Sequence, residues 1–433
     1  MISMPLFGMA KTRFQIPLNL TNINIQEIKI NEIGEFHIYV SCTARNCECY
    51  KCGKEITKSH GHCKETIIEH LPIFDNKVFI HVKWPRFICD NCDDHPTTSF
   101  HPEWLGENGE CTRDYEKYIL KCLINSTIKD IAEKNRTTEE RIEGIIDRCI
   151  SLEIDWDLRK ITRIGVDEIA LKKGHNHYLT IVSDISIPGK TRLLKVISGR
   201  SQEEILPFFQ SVPRYIWTNV ESISTDMGAS FLSTLMKVLG EELYNKKVTI
   251  DRFHVAKLIN GNVDDERKKI YNKLKKELKD DDEALEKIKH TMWPFRHHYE
   301  NLEKENLKRL KALFEQSPDL KECYNMREDL YRIFEINQTI ESAKIMIDAW
   351  CLMALQYKET DNPFESFVKT YYKNEINILN YFSKRHSSGP VEGLNNKIKV
   401  IKRRGFGFDN VINFAKRLVL DINLKEIYIP KFA

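Results

Sequence analysis

The chain has 433 residues, 41% hydrophobic and 30% charged, which is too apolar for wholesale disorder and long enough for two to four domains. Its 66 basic residues nearly balance 63 acidic ones, leaving +3 overall, so any nucleic-acid surface must come from local clustering. The start, MISMPLFGMAKTRFQIPLNL, lacks the pattern of a secretory signal, and no apolar run nears the roughly 18 residues that span a bilayer, so a cytoplasmic location is expected.

Alternating residues over Glu27 to Val40 predict a short hairpin that leads into a cysteine-rich stretch. Eight of the twelve cysteines lie between Cys42 and Cys111; in a long chain without an export signal this crowding points to metal rather than disulfides. Cys49-Tyr-Lys-Cys52 and Cys89-Asp-Asn-Cys92 are paired C-x-x-C knuckles. Each offers two thiolates from one tight turn, and four close a tetrahedral sphere, the pattern of structural Zn²⁺. IIEHLPIFDNKVFIHVKWPRFI, between them, reads as strands that bring the knuckles together. Cys47, His60, His62 and Cys63 are alternative ligands, whereas Cys42 reads as ordinary.

Cys111 to Ile150 has a helical period, and DIAEKNRTTEERIEGIIDR reads as two short helices joined by a turn. Ile128 to Lys134 would precede a recognition helix over Thr138 to Arg148, with Arg136 and Arg141 placed to approach phosphates or bases. Two short helices with a polar face also occur in proteins that never meet DNA.

From Arg163 the pattern turns to strands. RIGVDEIAL, HYLTIVSDI and, after a turn at IPGK, TRLLKVIS make an antiparallel meander. Ser201 with Glu204 is a capping-box signature that starts a helix at ILPFF. A strand ESISTD, a helix over about Ala229 to Leu239 and a fifth strand KVTIDRF follow, giving the order βββαβαβ. Asn262 to Met353 is Lys/Glu-rich with helical spacing, a helical insertion. Trp293 there has two readings, base stacking and the favoured one, core packing; Trp350 fits a helical core. In SGPVEGLNNKIKVIKRRGFGF, Val391, Leu394, Ile398 and Ile401 fall at intervals of three, four and three, one apolar stripe of a helix.

Phosphodiester chemistry with two divalent ions needs a small cluster of carboxylates. Asp167 lies inside an apolar strand, Asp226 ends another, and Glu392 begins the amphipathic helix, sharing a face with Asn396, Lys399 and Arg403. The plain alternative is that the aspartates cap turns and Glu392 is a solvated first-turn acid. Glu168 points to the opposite face of its strand and is the weaker ligand, while Asp251 competes with Asp226 for a metal role. The run Lys397, Lys399, Lys402, Arg403 and Arg404, followed by Phe406 and Phe408, reads as a DNA-backbone surface or as a solvated helix face.

The order βββαβαβ resembles that of ribonuclease-H-like folds, whose catalytic carboxylates lie on the first strand, after the fourth, and on a late helix. GVDEIALKKGHNHYLTIV, STDMGASF, TIDRFHVAKLIN and GPVEGLNNKIKVIKRRGFGF are similar to successive motifs of the ISL-three family of bacterial insertion-sequence transposases, and the likeness covers nearly the whole chain. The resemblance implies a DDE triad of Asp167, Asp226 and Glu392 with Mg²⁺ or Mn²⁺, and an auxiliary Asp251 and His254 like the Asp/Cys-x-x-His motif of related enzymes. It implies a multidomain α+β chain: a zinc-finger region over 1–104, a helix-turn-helix domain over 105–156, and a ribonuclease-H-like α/β catalytic domain over 157–261 and 381–433, interrupted by an all-helical insertion over 262–380. Terminal inverted repeats and target double-stranded DNA would be the partners, a homodimer or larger assembly the working form, and metal-dependent cleavage and strand transfer the activity. The rivals are a catalytically silent DNA-binding regulator and a nuclease of the same fold that cuts without joining.

Overall fold

The structure is a computed structural model and describes residues 18, 20–158, 160–172, 177–385, 389–405, 407–408 and 410–425. Strand β1 (Arg163–Lys172) sends Ile164 and Val166 to one face and Ile169 and Leu171 to the other, and all four are buried, as alternation requires of a strand covered on both sides. Antiparallel β2 (His177–Ile187) and β3 (Lys190–Ser198) complete the expected meander. Their turn is Pro188-Gly189 between paired Ile187 and Lys190, with Gly189 at φ +74°, the arrangement a type II turn asks of proline and glycine. β4 (Ser222–Thr225) and β5 (Val248–Ile250) add in parallel on the far side of β1, so the sheet runs β3-β2-β1-β4-β5.

The capping box is present, with Ser201 N–H donating to Glu204 at 2.9 Å and α1 (Gln202–Ser211) following. Two short helices, Arg214–Asn219 and Glu241–Lys247, flank β4 and α2 (Ala229–Leu239) where the sequence reading had none; neither is long enough to display a helical period. β5 stops at Ile250 rather than running through Phe253 because Asp251 caps α3 (Arg252–Glu277), accepting from Phe253 N–H at 3.0 Å. One face of the sheet packs on α1 and α2 through Ile205, Phe209, Phe231 and Leu235. The other carries α4 (Gly389–Arg404), whose Leu394, Ile398 and Ile401 share a core with Ile169, Leu171, Leu179 and Ile181.

Between α3 and α4 the described residues form helices and no strand. Trp350 is buried at their centre, and the buried Arg327 guanidinium donates to the Phe295 carbonyl at 2.7 Å while pairing with Glu328. Trp293 departs from its favoured core placement and is 62% exposed, because its five-residue helix Met292–Arg296 buries Pro294 and Phe295 instead. Among the described residues no helix is long and apolar enough to cross a membrane.

Ser151–Leu424 make one compact unit, and the described residues up to Ile150, with Lys425, make another. In the latter, Ile23–Ile30 and Phe36–Cys42 are the expected hairpin, joined by Asn76–Val82 and Thr66–Ile73 into a four-stranded sheet around Ile38, Ile68, Val78 and Ile80. The helices Arg113–Leu123, Ile128–Lys134 and Glu139–Cys149 follow, each opened by a threonine, Thr112, Thr127 or Thr138, whose side chain accepts a backbone N–H.

Candidate active site and metal centre

Strand pairing aligns three of the acids. Gly165 lies beside Ser224 and Thr225 beside Ile250; carrying those parallel registers forward puts Asp167 level with Asp226, and Asp226 level with Asp251. Asp251 N–H donates to the Thr225 carbonyl at 3.1 Å, which holds the last two side by side. They stand where β4 and β5 end, the carboxyl edge at which open parallel sheets bind their ligands.

Asp167 is half-buried and held at both ends. Glu168 N–H donates to its Oδ1 at 2.7 Å, and Asn395 Nδ2 of α4 donates to its Oδ2. Burial pushes its carboxyl above the ordinary range; the Glu168 amide and a positive charge on His254 pull it down, the negative charge of Asp226 pushes it up, and Asn395 pulls it down. Asp167 therefore feels both Asp226 and His254, one turn into α3. Asp226 Oδ1 accepts Gly228 N–H at 2.8 Å, fixing the turn into α2.

Glu392 is exposed in the first turn of α4, one turn before Asn395, and its neighbour Val391 lies against Gly165 of β1. Among the described residues, the only group of three or more His, Cys, Asp or Glu whose ligand atoms all lie within 4.8 Å of one another is a set of four cysteines. Asp167, Asp226, Asp251 and Glu392 do not make such a group.

Glu168, on the opposite strand face, accepts from Arg200 Nη1 at 3.1 Å through both oxygens, and the Arg200 guanidinium lies 3.7 Å over the Tyr178 ring. Its carboxylate is engaged away from Asp167. Sequence reasoning missed Asn395. It falls four residues after Val391 and three before Ile398, so it is a polar side chain set in the apolar stripe, and a buried amide requires a partner.

Of the basic run on α4, Lys402 donates to the Ala170 and Leu171 carbonyls at 3.0 and 3.1 Å, tying the helix to β1. Asn396, Lys397, Lys399 and Arg403 are exposed and Arg404 is half-buried. Phe408 packs on Phe414 with ring centroids 4.8 Å apart; Phe406 lies outside the described residues.

In the other unit, Cys49, Cys52, Cys89 and Cys92 bring their sulfurs within 4.8 Å of one another, with 3.8 Å between Cys52 and Cys89 and between Cys89 and Cys92. Four bonds of about 2.3 Å in a tetrahedron put sulfurs roughly 3.8 Å apart, so the set fits one metal ion. The Cys52 backbone N–H, working against burial, draws the Cys49 thiol down to about 7, towards the thiolate a metal needs, whereas burial pushes Cys92 up to about 12. Cys47 turns to the Thr98 carbonyl and Cys63 to Ser99, and neither they nor His60 and His62 belong to the group.

The two arginines of the helix-turn-helix part ways. Arg136 is exposed in the turn at φ +49°, and its carbonyl accepts from Lys77 at 2.9 Å. Arg141 turns inward to pair with Glu69, which is 3% exposed, and lies 5.6 Å from the Tyr115 ring centroid. Arg148 likewise pairs with Glu116 at 3.0 Å. The exposed face of Glu139–Cys149 carries Glu139, Glu140, Glu143 and Asp147, whereas Lys129, Lys134 and Arg136 are exposed on the preceding helix and turn.

Residues 164–418 match a family model for the DDE domain of ISL3 elements, described as transposase, and residues 101–150 match the helix-turn-helix domain of transposase family ISL3. The chain is 26% identical over 380 residues to a transposase for insertion sequence element IS1001 of Bordetella parapertussis, covering 86% of this chain and 87% of that protein. It is 21% identical over 354 residues to a transposase for insertion sequence element IS1557 of Mycobacterium tuberculosis, covering 77% and 76%.

Proposed function

The chain belongs to the ISL3 family of transposases, and on that premise we propose that it cuts DNA at the terminal inverted repeats of an insertion sequence and joins those ends to target DNA. The observation that carries this reading is Asp167, a half-buried carboxylate clamped by Glu168 N–H and Asn395, with Asp226 just past the end of the neighbouring parallel strand. The sheet order β3-β2-β1-β4-β5, with β2 alone antiparallel to its neighbours, supports a ribonuclease-H-like domain, and the helices between α3 and α4 support an all-helical interruption of it.

Asp167, Asp226 and Glu392 would hold Mg²⁺ or Mn²⁺. Bound there, two such ions activate the attacking oxygen and stabilise the leaving one. The chain's own work is positional: hydrogen bonds fix both oxygens of Asp167, the Gly228 amide fixes Asp226, and α4 presents Glu392 from the packed face of β1. Water attacks the phosphodiester first, the freed 3′ hydroxyl then attacks the target, and no covalent link to protein forms. His254 and Asp251 are auxiliary, setting the field around Asp167 and capping α3.

The four cysteines would hold structural Zn²⁺. Double-stranded DNA meets the helix-turn-helix through the exposed Arg136 and meets α4 through the exposed Asn396, Lys397, Lys399 and Arg403, with Arg404 half-buried beside them; Arg141, paired with Glu69, and Lys402, bound to the Ala170 and Leu171 carbonyls, serve the fold first. Two element ends must be brought together, so the working form is a homodimer or larger assembly in the cytoplasm, at the nucleoid when bound to DNA.

The test is Mg²⁺-dependent cleavage and joining of DNA carrying the element ends, by wild type and by Asp167→Asn, Asp226→Asn, Asp251→Asn and Glu392→Gln. The proposal expects wild type and Asp251→Asn to cut and join and the other three to bind without cutting. Normal cutting by Asp226→Asn with none by Asp251→Asn would move the second ligand to Asp251. A wild type that binds ends without cutting would make the chain a regulator.

A further inference from the structure

We propose that Asn395 is a positioning residue of the carboxylate site, whose amide N–H sets Asp167 for an ion and whose amide oxygen accepts a hydrogen bond from water bound beside it. The proposal rests on the reading of Asp167 as a metal ligand.

Asn395 occupies a core position of α4, 6% exposed, between Leu394 and Ile398 of the apolar stripe. A primary amide there brings two donors and an acceptor into a place a leucine would fill without any polar group. Nδ2 donates to Asp167 Oδ2. Turning the amide over would set its oxygen against an ionised carboxylate, two acceptors face to face, so the carboxylate fixes which way the amide points. Its Oδ1 is buried and has no hydrogen-bond partner among the described residues.

Buried acceptors without donors are rare, and this one sits on the same planar group that holds Asp167. The Asp167 oxygens have one donor each, from Glu168 and Asn395, while an ionised carboxylate accepts about four. The remaining capacity of the carboxylate and the orphaned amide oxygen thus lie together. A hydrated divalent cation satisfies both at once, its positive charge meeting the carboxylate and one of its waters donating to Asn395. Partners of this kind orient a metal ligand and raise the affinity of a site without touching the ion.

Mn²⁺ binding by the full-length, zinc-loaded protein tests this, read from the free-ion paramagnetic resonance signal, for wild type, Asn395→Leu and Asp167→Asn. Asn395→Leu is expected to bind Mn²⁺ about 10- to 100-fold more weakly, with a melting temperature in Mn²⁺-free buffer at or above wild type. Wild-type affinity in Asn395→Leu, with binding lost in Asp167→Asn, overturns the proposal and leaves the carboxylate reading standing. Mn²⁺ binding indifferent to Asp167→Asn overturns both. Asn395→Asp provides a second measurement if the leucine variant does not fold: it keeps shape and acceptor but cannot donate to ionised Asp167. Its cleavage of element ends at saturating Mn²⁺ is expected to fall about 10- to 100-fold, and a wild-type rate overturns the proposal.

Discussion

Gly165 and Val391 meet with no room for a side chain between them: a methyl group on Gly165 would lie 2.5 Å from Val391 Cγ2 and 2.9 Å from Ser183 Oγ. The glycine lets the first turn of α4, which carries Glu392, settle onto β1 two residues before Asp167. The approach of α4 to β1 is thereby set by an absent side chain.

Gly165→Ala should push α4 off the sheet. Overpacking of this kind costs about 1–3 kcal/mol, but the loss of cleavage should exceed what that destabilisation accounts for, because Glu392 and Asn395 move together. Val391→Ala removes the closer of the two clashes and leaves only Ser183 Oγ to give way, so the double variant should recover part of the melting temperature and cleavage lost in Gly165→Ala. A double-mutant cycle measures the coupling; additive effects would mean that this contact does not seat the helix.

Asp167 should make the metal-free protein weaker at neutral pH than at acid pH. Burial raises its folded-state pKa above the ordinary 3.8, so the folded chain keeps this proton to higher pH than the unfolded chain does. The stability it contributes is full below 3.8 and is lost as pH rises through the raised value. Asp167→Asn should therefore melt higher than wild type at pH 7 in Mg²⁺-free buffer, with the gain shrinking on acidification, whereas added Mn²⁺ should stabilise wild type alone. Equal melting curves at pH 7 would deny the carboxylate its burial penalty.

The thiolate cluster should carry one zinc per chain. Cys89 is fully buried in the set, so Cys89→Ser should lose the metal and destabilise the unit up to Ile150, because a structural zinc site contributes folding energy directly. Cys47→Ser should keep its zinc, since that thiol faces the Thr98 carbonyl. Metal content by plasma emission spectrometry, with melting curves before and after chelation, decides it; zinc retained in Cys89→Ser would require another ligand set.

Where a period runs for two turns or five alternations, local chemistry settled the element. The stripe of Val391, Leu394, Ile398 and Ile401 is buried throughout, and β1 to β3 lie where alternation put them. The paired knuckles were legible too, because a tight turn is local and their spacing is chemical. Other features depend on partners distant in sequence. That Asp226 and Asp251 stand level follows from pairing between β4 and β5, some 25 positions apart, which no window of residues contains. Asn395 is one polar residue among several in the sequence of α4, and only its angular position, in line with the buried stripe, sets it apart. Arg141 looked solvent-facing because its acid partner, Glu69, comes from the strand Thr66–Ile73.

That last pair separates two kinds of arginine in the helix-turn-helix. Removing Arg141 leaves Glu69, 3% exposed, with Lys77 at 3.4 Å as its remaining cation. Breaking such a buried pair costs about 3 kcal/mol, so Arg141→Ala should lower the melting temperature of its unit and weaken DNA binding only where that unit unfolds. Arg136 is exposed and ties to the fold through its backbone, its N–H donating to the Glu133 carbonyl at 3.2 Å and its carbonyl accepting from Lys77. Arg136→Ala should leave melting unchanged, weaken binding to all sequences alike, and reduce the slope of log affinity against log salt by about one. Glu143→Gln, on the acidic face of Glu139–Cys149, should tighten binding by removing a charge that repels phosphate. Fluorescence anisotropy with element-end DNA over a salt series, beside melting curves, separates these effects. Should Arg141→Ala melt like wild type and lose one unit of salt slope, its guanidinium works on phosphate in solution, and the inward pairing with Glu69 is not what holds it.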